Sequence, residues 1–128
     1  MREILFRGKR KVGGIWQYGD LVHCTDRLVA ISDEQGNFVT VRPETVGQYT
    51  GLTDKNGKRI FEGDIVAHFV NWLGKRVNGV CRYNNQDASY TCYFDLDGEP
   101  KCAFLADWVD NNGAEIIGNV WDNPELLQ

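Results

Sequence analysis

Glu62 and Asp64 straddle Gly63, and two carboxylates at that spacing are the first place to look for acid–base chemistry. A hydrolase needs such a pair with pKa values driven apart by burial, so that one group donates a proton while the other accepts one. An Asp that follows Gly at the entry to a strand has a plainer use, because its carboxylate accepts nearby backbone N–H groups and fixes a bend. The bend is the expected role, and no catalytic residue is assigned. Asp54, Asn56 and Gly57 suggest a calcium loop, but an EF-hand places glycine sixth and glutamate twelfth. Here the glycine falls fourth, which is hairpin-turn chemistry instead.

Cys24, Cys81, Cys92 and Cys102 stand 57, 11 and 10 positions apart, with no C-x-x-C pair and no histidine couple beside them, so neither a metal nor a cofactor is expected. In a reducing compartment such thiols act as small buried hydrophobes. His23 and Cys24 are neighbours on a predicted strand and point to opposite faces, which prevents a dyad. His68 has no partner in the sequence, and no G-x-S-x-G elbow is present.

The remaining chemistry is in cations and rings. Arg2, Arg7, Lys9, Arg10 and Lys11 place five of the 14 cationic side chains in the first eleven residues. Cations of this kind guard a strand edge against aggregation. Alternatively Arg7, Lys9, Arg10 and Lys11, joined by Lys55, Lys58 and Arg59, converge into one basic face for nucleic acid. A net charge of −4 and a pI near 5.1 exclude nucleic-acid attraction by the whole surface. The aromatics mostly fill a β core, and any left exposed suit base stacking or peptide clamping.

These groups need a scaffold, and 128 residues suffice for one ordinary domain. Fourteen glycines among four tryptophans, five tyrosines and six phenylalanines lean toward β structure. Arg2 to Arg7 and Ile15 to Cys24 read as a hairpin, with Gly19-Asp20 a bulge or kink. Leu28 to Ile31 and Phe38 to Val41 read as a second hairpin around Glu34 to Asn37, and Arg42 to Val46 as a single helical turn. Asn56-Gly57 predicts a tight turn, Glu62-Gly63-Asp64 a bend into a strand from Ile65 to Trp72, Asn78-Gly79 a further turn and Asp97-Gly98 another. Val80 to Tyr83, Ser89 to Leu96 and Glu115 to Trp121 read as strands. Ala103 to Val109 is the best candidate for a short helix, closed by Asn111-Asn112-Gly113, and Asp122 to Leu127 reads as an N-capped turn with an early proline.

The block Gln48-Tyr49-Thr50-Gly51-Leu52-Thr53-Asp54-Lys55-Asn56-Gly57-Lys58-Arg59-Ile60-Phe61-Glu62-Gly63-Asp64-Ile65-Val66 resembles the hallmark segment of the YopX family of phage and prophage proteins. Arg2-Glu3-Ile4-Leu5-Phe6-Arg7 is similar to the family's opening. Ile117-Gly118-Asn119-Val120-Trp121-Asp122-Asn123-Pro124-Glu125-Leu126-Leu127 is similar to its closing motif. The resemblance implies a small SH3-like β-barrel and no assigned activity. It makes Tyr49, Gly51, Asn56, Gly57, Phe61, Gly63, Asp64, Gly118, Asn119 and Pro124 motif residues with structural roles.

The expected organisation is a single domain over 1–128: N-terminal hairpins to about 45, a barrel core over about 46–122, and a short turn over 123–128. The expected function is a non-enzymatic interaction module that binds a protein partner or its own copies. Nucleic-acid binding through the local basic face is the second reading, and a hydrolase using Glu62 and Asp64 the third. No apolar stretch follows the N-terminal cations and none approaches the ~18 residues of a membrane span, so a cytoplasmic protein without a membrane partner is expected.

Overall fold

A computed structural model describes residues 2–70, 74–110 and 113–127. The chain is mainly β, and among the described residues its strands form two antiparallel sheets and no closed barrel. It divides into two compact units, Met1–Gly51 and Leu52–Gln128.

In the first unit β1 (Phe6–Lys9), β2 (Trp16–Thr25), β3 (Leu28–Ser32), β4 (Phe38–Val41) and β5 (Gly47–Thr53), which runs on past the unit's end, lie in the order β4-β3-β2-β1-β5. The first strand starts at Phe6 rather than at Arg2, although the Leu5 carbonyl already accepts the Tyr49 N–H at 2.8 Å. Alternation sends Phe6, Leu21, Ile31, Val29 and Val41 to one face, where they form a small core with Val46. Gly8 belongs to this face, and a Cβ there would stand 2.8 Å from Val41 Cγ2. The expected irregularity at Gly19-Asp20 falls instead between His23 and Thr25. Gly19 serves close approach, since a Cβ there would collide with the Ser32 carbonyl oxygen. The β3–β4 turn is knotted by Asp33, whose Oδ1 accepts the Gln35 and Asn37 N–H groups.

The barrel core expected over about 46–122 is not found: among the described residues the five-stranded sheet of the second unit stays open, with different strands at its two edges. In the first unit β1 is flanked by β2 and β5 and also meets β4, through one isolated bridge, Arg10 with Val41, and a bond from Arg42 N to the Lys9 carbonyl at 2.8 Å, before Pro43 opens a 3₁₀ turn (Pro43–Thr45).

In the second unit β6 (Arg59–Phe61) follows the Asn56-Gly57 hairpin. The sheet contains β7 (Asp64–Val70), β8 (Lys75–Asn84), β9 (Ser89–Leu96), β10 (Glu99–Phe104) and β11 (Glu115–Asn119), in the order β10-β9-β8-β7-β11. The short helix α1 (Leu105–Asp110) places Leu105 and Trp108 on one face of it, over Val66, Val77, Cys81 and Cys92, with Ile60 and Ala114 completing the core. Two expectations are corrected. Asn78-Gly79 is no turn but mid-strand in β8, where a Cβ on Gly79 would stand 2.9 Å from Trp108 Cη2, so the glycine makes room for the indole. The helix begins two residues later than predicted, because Ala103 and Phe104 are paired to Cys92 and Thr91. Pro100 is tolerated because β10 is an edge strand. Trp72, Asn111 and Asn112 lie outside the described residues.

Candidate functional site

The face of the first sheet that turns away from its apolar core collects cations and rings. Residues directly opposite in an antiparallel pair share a face, so the register assigns Lys9 with Trp16 and Arg7 with Tyr18, and then Asp20 with Ser32 and Phe38. The Arg7 guanidinium stacks 4.4 Å from the Trp16 ring centroid, and the Lys9 ammonium sits 5.6 Å from the same ring. Arg7 is 5 % exposed, whereas Tyr18 is 47 % and Phe38 68 % exposed. Half-buried Trp16 thus has cations around it while the two outer rings stand in solvent.

Arg42 reaches this corner from the chain that leaves β4. From the point where a Cβ on Gly14 would lie, Arg42 Nη2 is 3.6 Å away and Lys9 Nζ 4.0 Å away. The two cations are therefore within about 8 Å of each other, less than one Debye length at physiological salt. Asp20, next along β2 from Tyr18, places a carboxylate on this face. The unit as a whole carries seven Lys and Arg against six Asp and Glu, while residues 52–128 carry seven against twelve. The acidity of the chain thus belongs to the second unit.

Within the first unit the N-terminal cations divide between the two faces of the sheet. Arg7 and Lys9 share a face. Arg10 does not join them, since its guanidinium is bonded to Gln17 Oε1 at 3.1 and 3.3 Å on the side of Gly8. Lys11 is exposed in the turn after β1. Lys55, Lys58 and Arg59 belong to the other unit. Of these Lys55 pairs with Glu115 at 3.5 Å, a carboxylate that Arg76 also holds at 2.7 Å. The Arg76 hydrogen bond, and then Lys55, keep the Glu115 carboxyl below its usual pKa.

The motif residues build turns and joints. Asp54, 6 % exposed, accepts the Asn56 and Lys58 N–H groups on Oδ1, both at 2.9 Å, and the Ile116 N–H on Oδ2 at 3.0 Å. Gly57 has φ +81° and donates to the Asp54 carbonyl. Gly51 takes φ +87° within β5, and Tyr49 is buried beside it. Asp64 is buried and accepts the N–H of buried Phe61 at 2.8 Å, while Gly63 donates to the Cys81 carbonyl and accepts from Val120. A Cβ on Gly118 would stand 2.5 Å from Asn123 Oδ1. Asn119 accepts the Trp121 and Asp122 N–H groups, and Pro124 opens the final 3₁₀ turn (Pro124–Leu127).

Of the cysteines, Cys81 and Cys92 are buried register partners and Cys24 and Cys102 are exposed, and none of the four is in a disulfide. Burial pushes the Cys92 thiol up to about 12. His68 stacks on Trp108 with centroids 4.8 Å apart, and burial lowers its pKa. Among the described residues no group of three His, Cys, Asp or Glu side chains is placed to hold a metal. No described helix is long and apolar enough to cross a membrane.

Sequence reasoning missed Arg42 and the joint from Asp54 to Ile116. The first becomes visible only when β4 returns to β1. The second spans 62 positions, and only the fold brings its ends together.

A family profile described as YopX protein matches residues 6–128. No curated protein matches the chain. Among solved structures it is similar to the crystal structure of protein EF1440 from Enterococcus faecalis, at TM-score 0.51 and 22 % identity over 100 % of both chains, a likeness of fold.

Proposed function

The chain belongs to the YopX family, and from that premise we propose that it is a non-enzymatic interaction module of phage or prophage origin, acting in the host cytoplasm. Its contact surface is the face of the first sheet that carries Arg7, Lys9, Trp16, Tyr18 and Phe38. The observation that carries this reading is the exposure of Tyr18 and Phe38 on the face opposite the unit's apolar core. Rings left in water beside cations contribute little to folding and are well suited to contact. Asp64 accepts the Phe61 N–H, the bend-fixing role expected of it, which supports a binding role over a hydrolytic one.

The double variant Tyr18→Ser/Phe38→Ser tests the surface. A contact surface predicts an unfolding free energy within about 0.5 kcal/mol of wild type, because exposed rings are not part of the core. A loss above about 2 kcal/mol would make the rings structural and end the reading. Sedimentation equilibrium at two concentrations then identifies the kind of partner. A mass that rises with concentration in the wild type and not in the variant assigns the face to a second copy, and an invariant mass assigns it to another molecule.

A further inference from the structure

The contact-surface reading leaves the occupant open, and the placement of charge narrows it. Lys9 and Arg42 are drawn together around Gly14, with Arg7 one row away and Lys11 following β1. Positive charge gathered at one corner of the face favours an anionic occupant. The rings are the second component. Tyr18 lies directly across from Arg7 and next along the face from Trp16, so an exposed aromatic surface adjoins the cationic corner at one strand spacing. Phe38 stands two strands further on, beyond Asp20 and Ser32.

Resting on that reading, we propose that this face binds single-stranded nucleic acid. Backbone phosphates lie at Lys9, Arg42 and Lys11, and an unpaired base stacks on Tyr18. The direction of the strand follows from the charges. Phosphates gather at the end of the face occupied by β1 and the β4 exit, and the bases extend toward β2 and Phe38, with Asp20 keeping the phosphates from the far side. Trp16, wedged under Arg7 and Lys9, acts as a positioning residue that holds both cations upright through its ring face. A duplex presents its bases stacked and paired, so it satisfies the cations but not Tyr18.

The test is fluorescence anisotropy on the full chain with a labelled oligothymidylate, a duplex of equal length and a polyglutamate of equal charge. Three phosphate contacts at the single-strand slope of about −0.7 each predict roughly 20-fold weaker binding between about 100 and about 400 mM salt. Lys9→Gln/Arg42→Gln flattens that slope by about 1.4. Tyr18→Ala weakens oligothymidylate binding about tenfold and leaves the slope unchanged, because stacking is not ionic. Duplex binding as tight as single-strand binding, or indifference to Tyr18→Ala, overturns the proposal. Polyglutamate bound equally well overturns it in favour of an acidic protein segment. Absence of binding at low salt overturns it too. The stability of Tyr18→Ser/Phe38→Ser is measured without any ligand, so failure of the contact surface and failure of its nucleic-acid occupant give separate signatures.

Discussion

Removing the Asp54 carboxylate should loosen the second unit far more than its place in a surface hairpin suggests. Three backbone N–H groups converge on it, from Asn56 and Lys58 within the hairpin and from Ile116 in β11. Hydrogen bonds to a charged acceptor contribute about 1.5–3 kcal/mol each. The Asn56 and Lys58 donors sit in an exposed turn and recover water, which reduces each to roughly 0.5–1 kcal/mol. The Ile116 donor is partly buried and is left unsatisfied, at about 1–3 kcal/mol. Asp54→Ala should therefore destabilise by about 3–4 kcal/mol, or roughly 10–15 °C in Tm for a chain of this size.

Asp54→Asn tests the logic more sharply, since it keeps shape and volume. Whichever way the amide is turned, its NH₂ faces an N–H, either those of Asn56 and Lys58 or that of Ile116. About 1–2 kcal/mol should be lost, and more than half of the alanine effect should be absent. Urea unfolding followed by tryptophan fluorescence gives the free energies. Hydrogen exchange at the Ile116 amide localises the loss. An asparagine variant as stable as wild type, or an Ile116 amide whose exchange is unchanged in Asp54→Ala, would refute the reasoning.

Other expectations are quicker to check. A thiol reagent should modify Cys24 and Cys102 in the native protein and reach Cys81 and Cys92 only on unfolding, as read by mass spectrometry of labelled peptides. Gly79→Ala should cost about 1–3 kcal/mol through overpacking against Trp108, and Trp108→Phe in the same chain should recover part of it in a double-mutant cycle. His68 has a folded-state pKa below its unfolded value, so the unfolded chain binds more protons as pH falls. Its contribution is fully present above about pH 6.5 and is lost as pH drops below that. Unfolding midpoints across that range should decline toward acid, and His68→Phe, which keeps a ring on Trp108, should remove that share of the slope.

Much of the strand pattern was readable because turn chemistry is local. Asn56-Gly57 and Asp97-Gly98 reverse the chain where positive φ is required, and both lie between paired strands. The same rule misled at Asn78-Gly79, where glycine answers a ring 29 positions away rather than a turn. Closure of a barrel was also beyond local reading. It depends on whether the edge strands of a sheet meet, and over 46–122 β10 and β11 stay at opposite edges. The candidate site was half legible. The basic run at the N-terminus was plain, but alternation along β1 sends Arg10 away from Lys9, and Arg42 replaces it through tertiary contact. Lys55, Lys58 and Arg59 were grouped with that run by charge alone, and they belong to the second unit.

The notch at Gly79 has a consequence for pairing as well as for packing. A strand that slips by one residue along its neighbour turns every side chain to the wrong face. On β8 such a slip would present Asn78 or Val80 to the Trp108 indole in place of bare backbone, and neither leaves room for it. The indole therefore accepts only one alignment of β8 against β7 and β9. Cys81 and Cys92 beneath it are small enough to tolerate the ring but too small to guide the strands. Register of the three strands is thus reinforced by a hydrogen atom where the neighbouring residues have a carbon, and a side chain at 79 would weigh on alignment as well as on packing.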